Sequence, residues 1–200
     1  MSSELIAPEY ELFPNRYRWT VQECAAMVEE GRLVGRYEVL DGEIVNKMGQ
    51  KPPHASTLTR IVAALTRLFG PTFIRVQLPI VLRSPDNTYT EPEPDVAVTR
   101  GTDYEYNSRH PGADDLAIVI EVSDTTIRTD AIFKSIAYAR SGVPEYWIVD
   151  LAARQIHVRR EPIDGQYTAL ESYGDGEQVS VLGHSDLPIA VADILPPETV

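Results

Sequence analysis

Three stretches decide the reading of this chain: EPDVAVT at 93–99, AIVIEVSD at 117–124 and GVPEYWIVD at 142–150. Each holds an apolar run of strand length, rich in β-branched or aromatic residues. The first two present one acid each, Asp95 and Glu121. Desolvating a charge is costly, so an acid on an apolar strand needs a partner. A helical segment between the second and third stretches carries Lys134. Two strand acids followed by a helical lysine point to a divalent metal and an activated water.

Outward from this centre the pattern is that of an α+β domain. Downstream, Asp130–Ser141 reads as a helix, with Thr129 as its cap and Gly142 beyond its end. Glu145–Asp150 reads as a short strand. The runs Gln155–Arg160, Gln166–Tyr173 and Glu177–Leu182 alternate as a β-meander, and Leu187–Leu195 closes an edge. Upstream, Phe73–Leu82 reads as one long strand, with Pro79 marking an edge or a bulge. Leu58, Ile61, Val62, Leu65 and Leu68 form the stripe of a helix over His54–Phe69, stopped by Gly70 and Pro71. The Asp41-Gly42 pair between YEVL and EIVN is a hairpin signal. Thr20 and Glu23 form a capping box ahead of a short helix holding Val21, Cys24, Ala25 and Val28. Residues 1–18 read as an irregular tail and 19–200 as one domain, with a mixed central sheet flanked by helices.

Composition bounds the rest. Two hundred residues suit one domain with a sizeable core. A single cysteine excludes an internal disulfide and any zinc site built from several cysteines. The start lacks a signal-peptide pattern and no run reaches membrane-spanning length, so a cytoplasmic location without a membrane partner is expected. The net charge of -12 opposes contact with a phosphate backbone. A nucleic-acid surface would need a local basic patch, with Arg60, Arg67, Arg75 and Arg128 as candidates, or metal ions. No phosphate-binding P-loop, dinucleotide fingerprint or serine-hydrolase elbow occurs.

The candidate groups have competing readings. Asp95 and Glu121, with the carbonyl of Val122, can hold Mg²⁺ or Mn²⁺, or the acids can bond loops and arginines. Lys134 can orient a water, or form an exposed i,i+4 pair with Asp130. Glu38 can add a third carboxylate or face solvent. His54 fits a helix start better than a catalyst, and Tyr138 reads as a core or rim aromatic. If the acids cluster, neutral variants at Asp95 or Glu121 should gain stability without metal.

In order and spacing, these motifs resemble the PD-(D/E)XK, restriction-endonuclease-like superfamily. YEVLDGEIV, EPDVAV, VIEVS, the spaced Asp130 and Lys134, and YARSGVPEYWIVD resemble more closely the Uma-type endonucleases of bacteria. The resemblance covers roughly residues 19–160. It implies a core of helix, three strands, helix and fourth strand. It implies Asp95 and Glu121 as metal ligands in a Mg²⁺-dependent DNA endonuclease, with Glu38 as the upstream acid and a homodimer as the assembly. The superfamily's lysine stands two residues after the second acid, where this chain has Ser123; the resemblance assigns that role to Lys134. The alternatives are a non-catalytic domain of the same fold, for binding or regulation, and a hydrolase of a smaller phosphodiester.

Overall fold

The structure is a computed structural model that describes residues 16–47, 49–83, 86–124 and 130–197. Its centre is a six-stranded mixed sheet in the order β3-β4-β5-β6-β7-β8. The strands are β3 (Ile74–Val76), β4 (Val96–Thr99), β5 (Leu116–Ser123), β6 (Glu145–Asp150), β7 (Gln155–Ile163) and β8 (Gln166–Gly174). Among the described strands of this sheet only β5 and β6 run parallel, and parallel neighbours need a crossover. That crossover includes a π-helical turn, Asp130–Lys134, and helix α3, Ser135–Ser141. Ahead of the sheet come α1 (Val21–Glu29), a hairpin of β1 (Tyr37–Leu40) and β2 (Glu43–Asn46), and α2 (Pro52–Phe69). After it come β9 (Gln178–Val179), β10 (Ile189–Ala190) and α4 (Val191–Ile194).

Side chains alternate across strands, so each face of the sheet has its own core. Ile118, Ile120 and Val122 of β5 pack with Leu58, Ile61 and Leu65 of α2 and with Ile194 of α4. Val119 lies on the other face with Ala97, Ile148 and the α3 residues Tyr138 and Ala139. Glu121 shares the face of Val119, so α3 closes over it. The expected α+β fold, and the sequence of helix, three strands, helix and strand, are present.

Several elements differ from the sequence pattern. The long strand over Phe73–Leu82 shrinks to β3, because Phe73 ends a 3-10 turn and Gln77 takes φ 51. Pro79 lacks an N–H and cannot rejoin the ladder. The helix read over His54–Phe69 starts earlier, with Pro52 and Pro53 in its first turn, where a missing N–H costs nothing. The third meander run reduces to β9, which pairs with β10 in a separate two-stranded sheet rather than beside β8. The last segment, Leu187–Leu195, supplies β10 and the short α4, and its strand closes on β9 rather than on the central sheet. Of the proposed stripe on α1, only Cys24 is buried. Thr129 lies outside the described residues.

The hairpin matters because it carries Glu38. Asp41 and Gly42 have φ 50 and φ 80, the left-handed pair that a tight two-residue hairpin requires. Gly42 N–H donates to the Tyr89 carbonyl at 2.7 Å, and its own carbonyl accepts from Trp19 N–H at 2.9 Å. A Cβ on Gly42 would meet Arg18 Cβ at 2.6 Å and Arg18 Cα at 2.8 Å. Gly42→Ala is therefore expected to destabilise the protein by about 1–3 kcal/mol, read as a lower urea midpoint with an unchanged slope.

Candidate active site

Glu38, Glu121 and Lys134, from separate elements, meet beside β5, and Asp95 stands opposite Glu121 on the neighbouring strand. Glu38 of β1, Asp95, Glu121 and Lys134 are exposed by only 5%, 4%, 3% and 3%. Lys134 Nζ lies 2.9 Å from Glu121 Oε1 and 3.1 Å from Glu38 Oε2. The exposed pair with Asp130 is thereby overturned on the lysine's side. A π turn breaks ordinary i,i+4 register and often marks a functional position; here it ends on Lys134. Glu38 Oε2 also accepts the Glu93 N–H at 3.3 Å and lies 3.9 Å from Lys47 Nζ. Glu38 is therefore not solvent-facing.

Asp95 stands one residue before β4. The ladder pairs Val96 with Ile120, so the next step sets Asp95 opposite Glu121. Its Oδ2 accepts the Val122 N–H at 2.9 Å and faces His54 Nε2 at 3.1 Å. Its Oδ1 accepts from Gln77 Nε2 at 3.1 Å. Burial pushes the Asp95 carboxyl up, but His54, the Val122 N–H and Gln77 carry it below its ordinary value. Burial pushes the His54 imidazole down, but the bond to and charge of Asp95, with the charge of Glu121, hold it above its ordinary value. Against an ionised Asp95, Nε2 is the nitrogen that carries a proton.

Glu121 Oε1 accepts a second bond, from Tyr138 Oη at 3.0 Å. Burial first, and then the charge of Glu121, holds that phenol well above its ordinary value, so it stays a donor. The acids are interleaved with lysines, an imidazole and neutral donors rather than left to repel one another.

The structure thus brings together Glu38, Asp95, Glu121 and Lys134, and places His54, Gln77, Tyr138 and Lys47 around them. Tyr138 lies four residues after Lys134, a spacing that puts two helical side chains on one face. Gln77 had a weaker signal, a lone amide in FIRVQLP. Lys47 had none. Of the proposed basic patch, Arg67 is exposed, Arg60 and Arg75 are partly covered, and Arg128 lies outside the described residues.

The donor set suits a hard divalent cation. Asp95 and Glu121 supply carboxylate oxygens, and among the described residues Asp95 Oδ1 keeps an acceptor position beyond the bond from Gln77. Among the described residues, no three or more His, Cys, Asp or Glu side chains gather as a metal-holding group. An ion here would take few protein ligands, as Mg²⁺ commonly does with substrate phosphates and water completing its shell.

A mixed sheet with acids on adjacent strands, and a lysine delivered by the following crossover, defines a restriction-endonuclease-like fold of the nuclease class. The chain belongs to the Uma2 family, described as "Putative restriction endonuclease", whose model matches residues 29–192. A solved structure from Anabaena variabilis ATCC 29413, described as "a putative nuclease belonging to DUF820", has the same fold. It matches with a TM-score of 0.60 and 18% identity, over 84% of this chain and 96% of that one. No curated protein matches the chain. Among the described residues, no helix is long and apolar enough to cross a membrane.

Proposed function

We propose that this protein is a Mg²⁺- or Mn²⁺-dependent endodeoxyribonuclease. The observation that carries the reading is the convergence of Glu38, Asp95, Glu121 and Lys134, buried, from three strand regions and a π turn. Family membership supports the nuclease class. Asp95, Glu121 and the Val122 carbonyl are the proposed metal ligands. A bound divalent ion would polarise a phosphoryl oxygen and acidify a water. Lys134 then has two tasks: its ammonium orients the attacking water and offsets charge developing on phosphorus. Glu38 is the second carboxylate that holds Lys134.

The test is incubation with supercoiled, linear duplex and single-stranded DNA under Mg²⁺ or Mn²⁺, beside EDTA and Asp95→Ala controls. Cleavage of at least one substrate that requires both metal and Asp95 is expected. Because the chain carries a net charge of -12, DNA binding should also need the divalent ion and fall steeply with salt. Binding indifferent to both would favour the alternative of a non-catalytic binding or regulatory domain. Ser123 at the superfamily's lysine position, together with the acidic charge, is the observation on that side. A homodimer and a cytoplasmic location belong to the same proposal; sedimentation at micromolar concentration tests the first.

A further inference from the structure

Gln77 has a backbone conformation that is uncommon for a residue with a side chain. It follows the edge strand β3 with φ 51, a left-handed backbone that costs a side-chain-bearing residue free energy and costs glycine little. Such residues persist where their surroundings over-determine them, and they cluster at functional sites. The ladder pairs Val76 with Val96, which sets Gln77 opposite Asp95. Its backbone N–H donates to the Asp95 carbonyl at 3.1 Å. Its side chain spans two charged groups: Nε2 donates to Asp95 Oδ1 at 3.1 Å, and Oε1 accepts from Arg36 Nη1 at 3.1 Å. A guanidinium only donates and an ionised carboxylate only accepts, so a single orientation of the amide satisfies both. Arg36 is itself held by Glu93 at 2.7 Å. The amide is therefore fixed from both ends.

The bonds on Asp95 divide unevenly. Oδ2 takes the Val122 N–H and His54, while Oδ1 takes Gln77 alone among the described residues. We propose that Gln77 is a positioning residue: its left-handed backbone holds the amide on Oδ1, locks the rotation of the Asp95 carboxylate, and leaves the second acceptor position of Oδ1 as the one offered to a divalent ion. The inference rests on the metal reading above and deepens it. Partners that orient a ligating carboxylate typically matter by roughly 10–100-fold in metal affinity.

Two variants separate this role from a structural one. Gln77→Gly keeps the backbone conformation without strain and removes the amide. Gln77→Met keeps the side-chain length and removes the donor. Mn²⁺ affinity by calorimetry should fall roughly 10-fold or more in both. Thermal unfolding in EDTA should show Gln77→Gly less destabilised than Gln77→Met, because both lose the bond to Asp95 and only glycine relieves the left-handed strain. A residue serving only the fold would lower stability in both variants with unchanged Mn²⁺ affinity, and that result overturns the proposal. Wild-type Mn²⁺ binding that is lost in Asp95→Asn, combined with full affinity in both Gln77 variants, removes Gln77 and leaves the metal reading intact. Absence of Asp95-dependent Mn²⁺ binding in the wild type sinks the metal reading and the role of Gln77 with it.

Discussion

Lys134→Ala is expected to lower the cleavage rate by roughly 10²-fold or more and to destabilise the metal-free protein by about 3–5 kcal/mol. An exposed i,i+4 lysine would contribute only about 0.3–0.5 kcal/mol. The difference follows from burial: Lys134 is 3% exposed and lies between Glu121 and Glu38. Removing the ammonium leaves two buried carboxylates without the cation they share, which is the expensive way to break a buried ion pair. Urea unfolding in EDTA measures the stability change. Mn²⁺ should restore part of it, since a ligand that binds only the folded state stabilises that state. A fully active variant whose midpoint hardly moves would remove Lys134 from the site.

The double variant Lys134→Ala with Ser123→Lys tests whether the lysine's role can be moved back. Ser123 follows Glu121 by two residues, so it projects from the same face of β5. It is 1% exposed and pairs across the sheet with Asp150. A lysine there enters a buried place with a carboxylate on the neighbouring strand. Partial recovery of cleavage is expected. An inactive double variant would mean that the approach from the π turn, and not merely a nearby ammonium, is what the site needs.

The sequence made the acids legible because β5 is apolar on both faces. In such a strand Glu121 stands out, and the strand-plus-acid pattern of EPDVAVT repeats the cue. The cue is not specific. Glu145 begins an equally apolar strand and is fully buried, yet it accepts bonds from Arg160, Trp147 Nε1 and the Leu182 N–H. That acid fastens the chain beyond β8 to the sheet. What separated the two cases was order and spacing along the chain. The burial of Lys134 was not legible, because periodicity cannot distinguish a π turn from an α-helical one. Gln77 was hidden for a related reason. Its apolar neighbours read as continuous strand, and a left-handed residue other than glycine leaves no mark in the sequence. His54 was read from its own neighbourhood as a helix start, whereas its contact with Asp95 crosses 41 positions.

Asp95→Asn and Glu121→Gln should each weaken Mn²⁺ binding by more than about 10-fold and cut cleavage by roughly 10²–10³-fold, but they should differ in stability. Repulsion between clustered acids would make both neutral variants more stable without metal. The geometry predicts otherwise, because cations and donors already stand between the acids. Asp95 accepts from Gln77 on one oxygen and faces the Val122 N–H and His54 on the other. An asparagine has one oxygen and one NH₂, so one side must set donor against donor. Turning the NH₂ toward Gln77 asks that amide to flip, which then turns its own NH₂ toward Arg36. A loss of about 1–3 kcal/mol is expected, the range for a buried polar group left unsatisfied. Glu121 places both Lys134 and Tyr138 on the same oxygen, Oε1. A glutamine can keep its oxygen there and retain both bonds, while Lys134 keeps Glu38 as its counter-charge. Glu121→Gln should therefore lose less stability in EDTA than Asp95→Asn, though both lose metal. Equal gains in stability for the two variants would restore the repulsion account and contradict the hydrogen-bonded cage around Asp95.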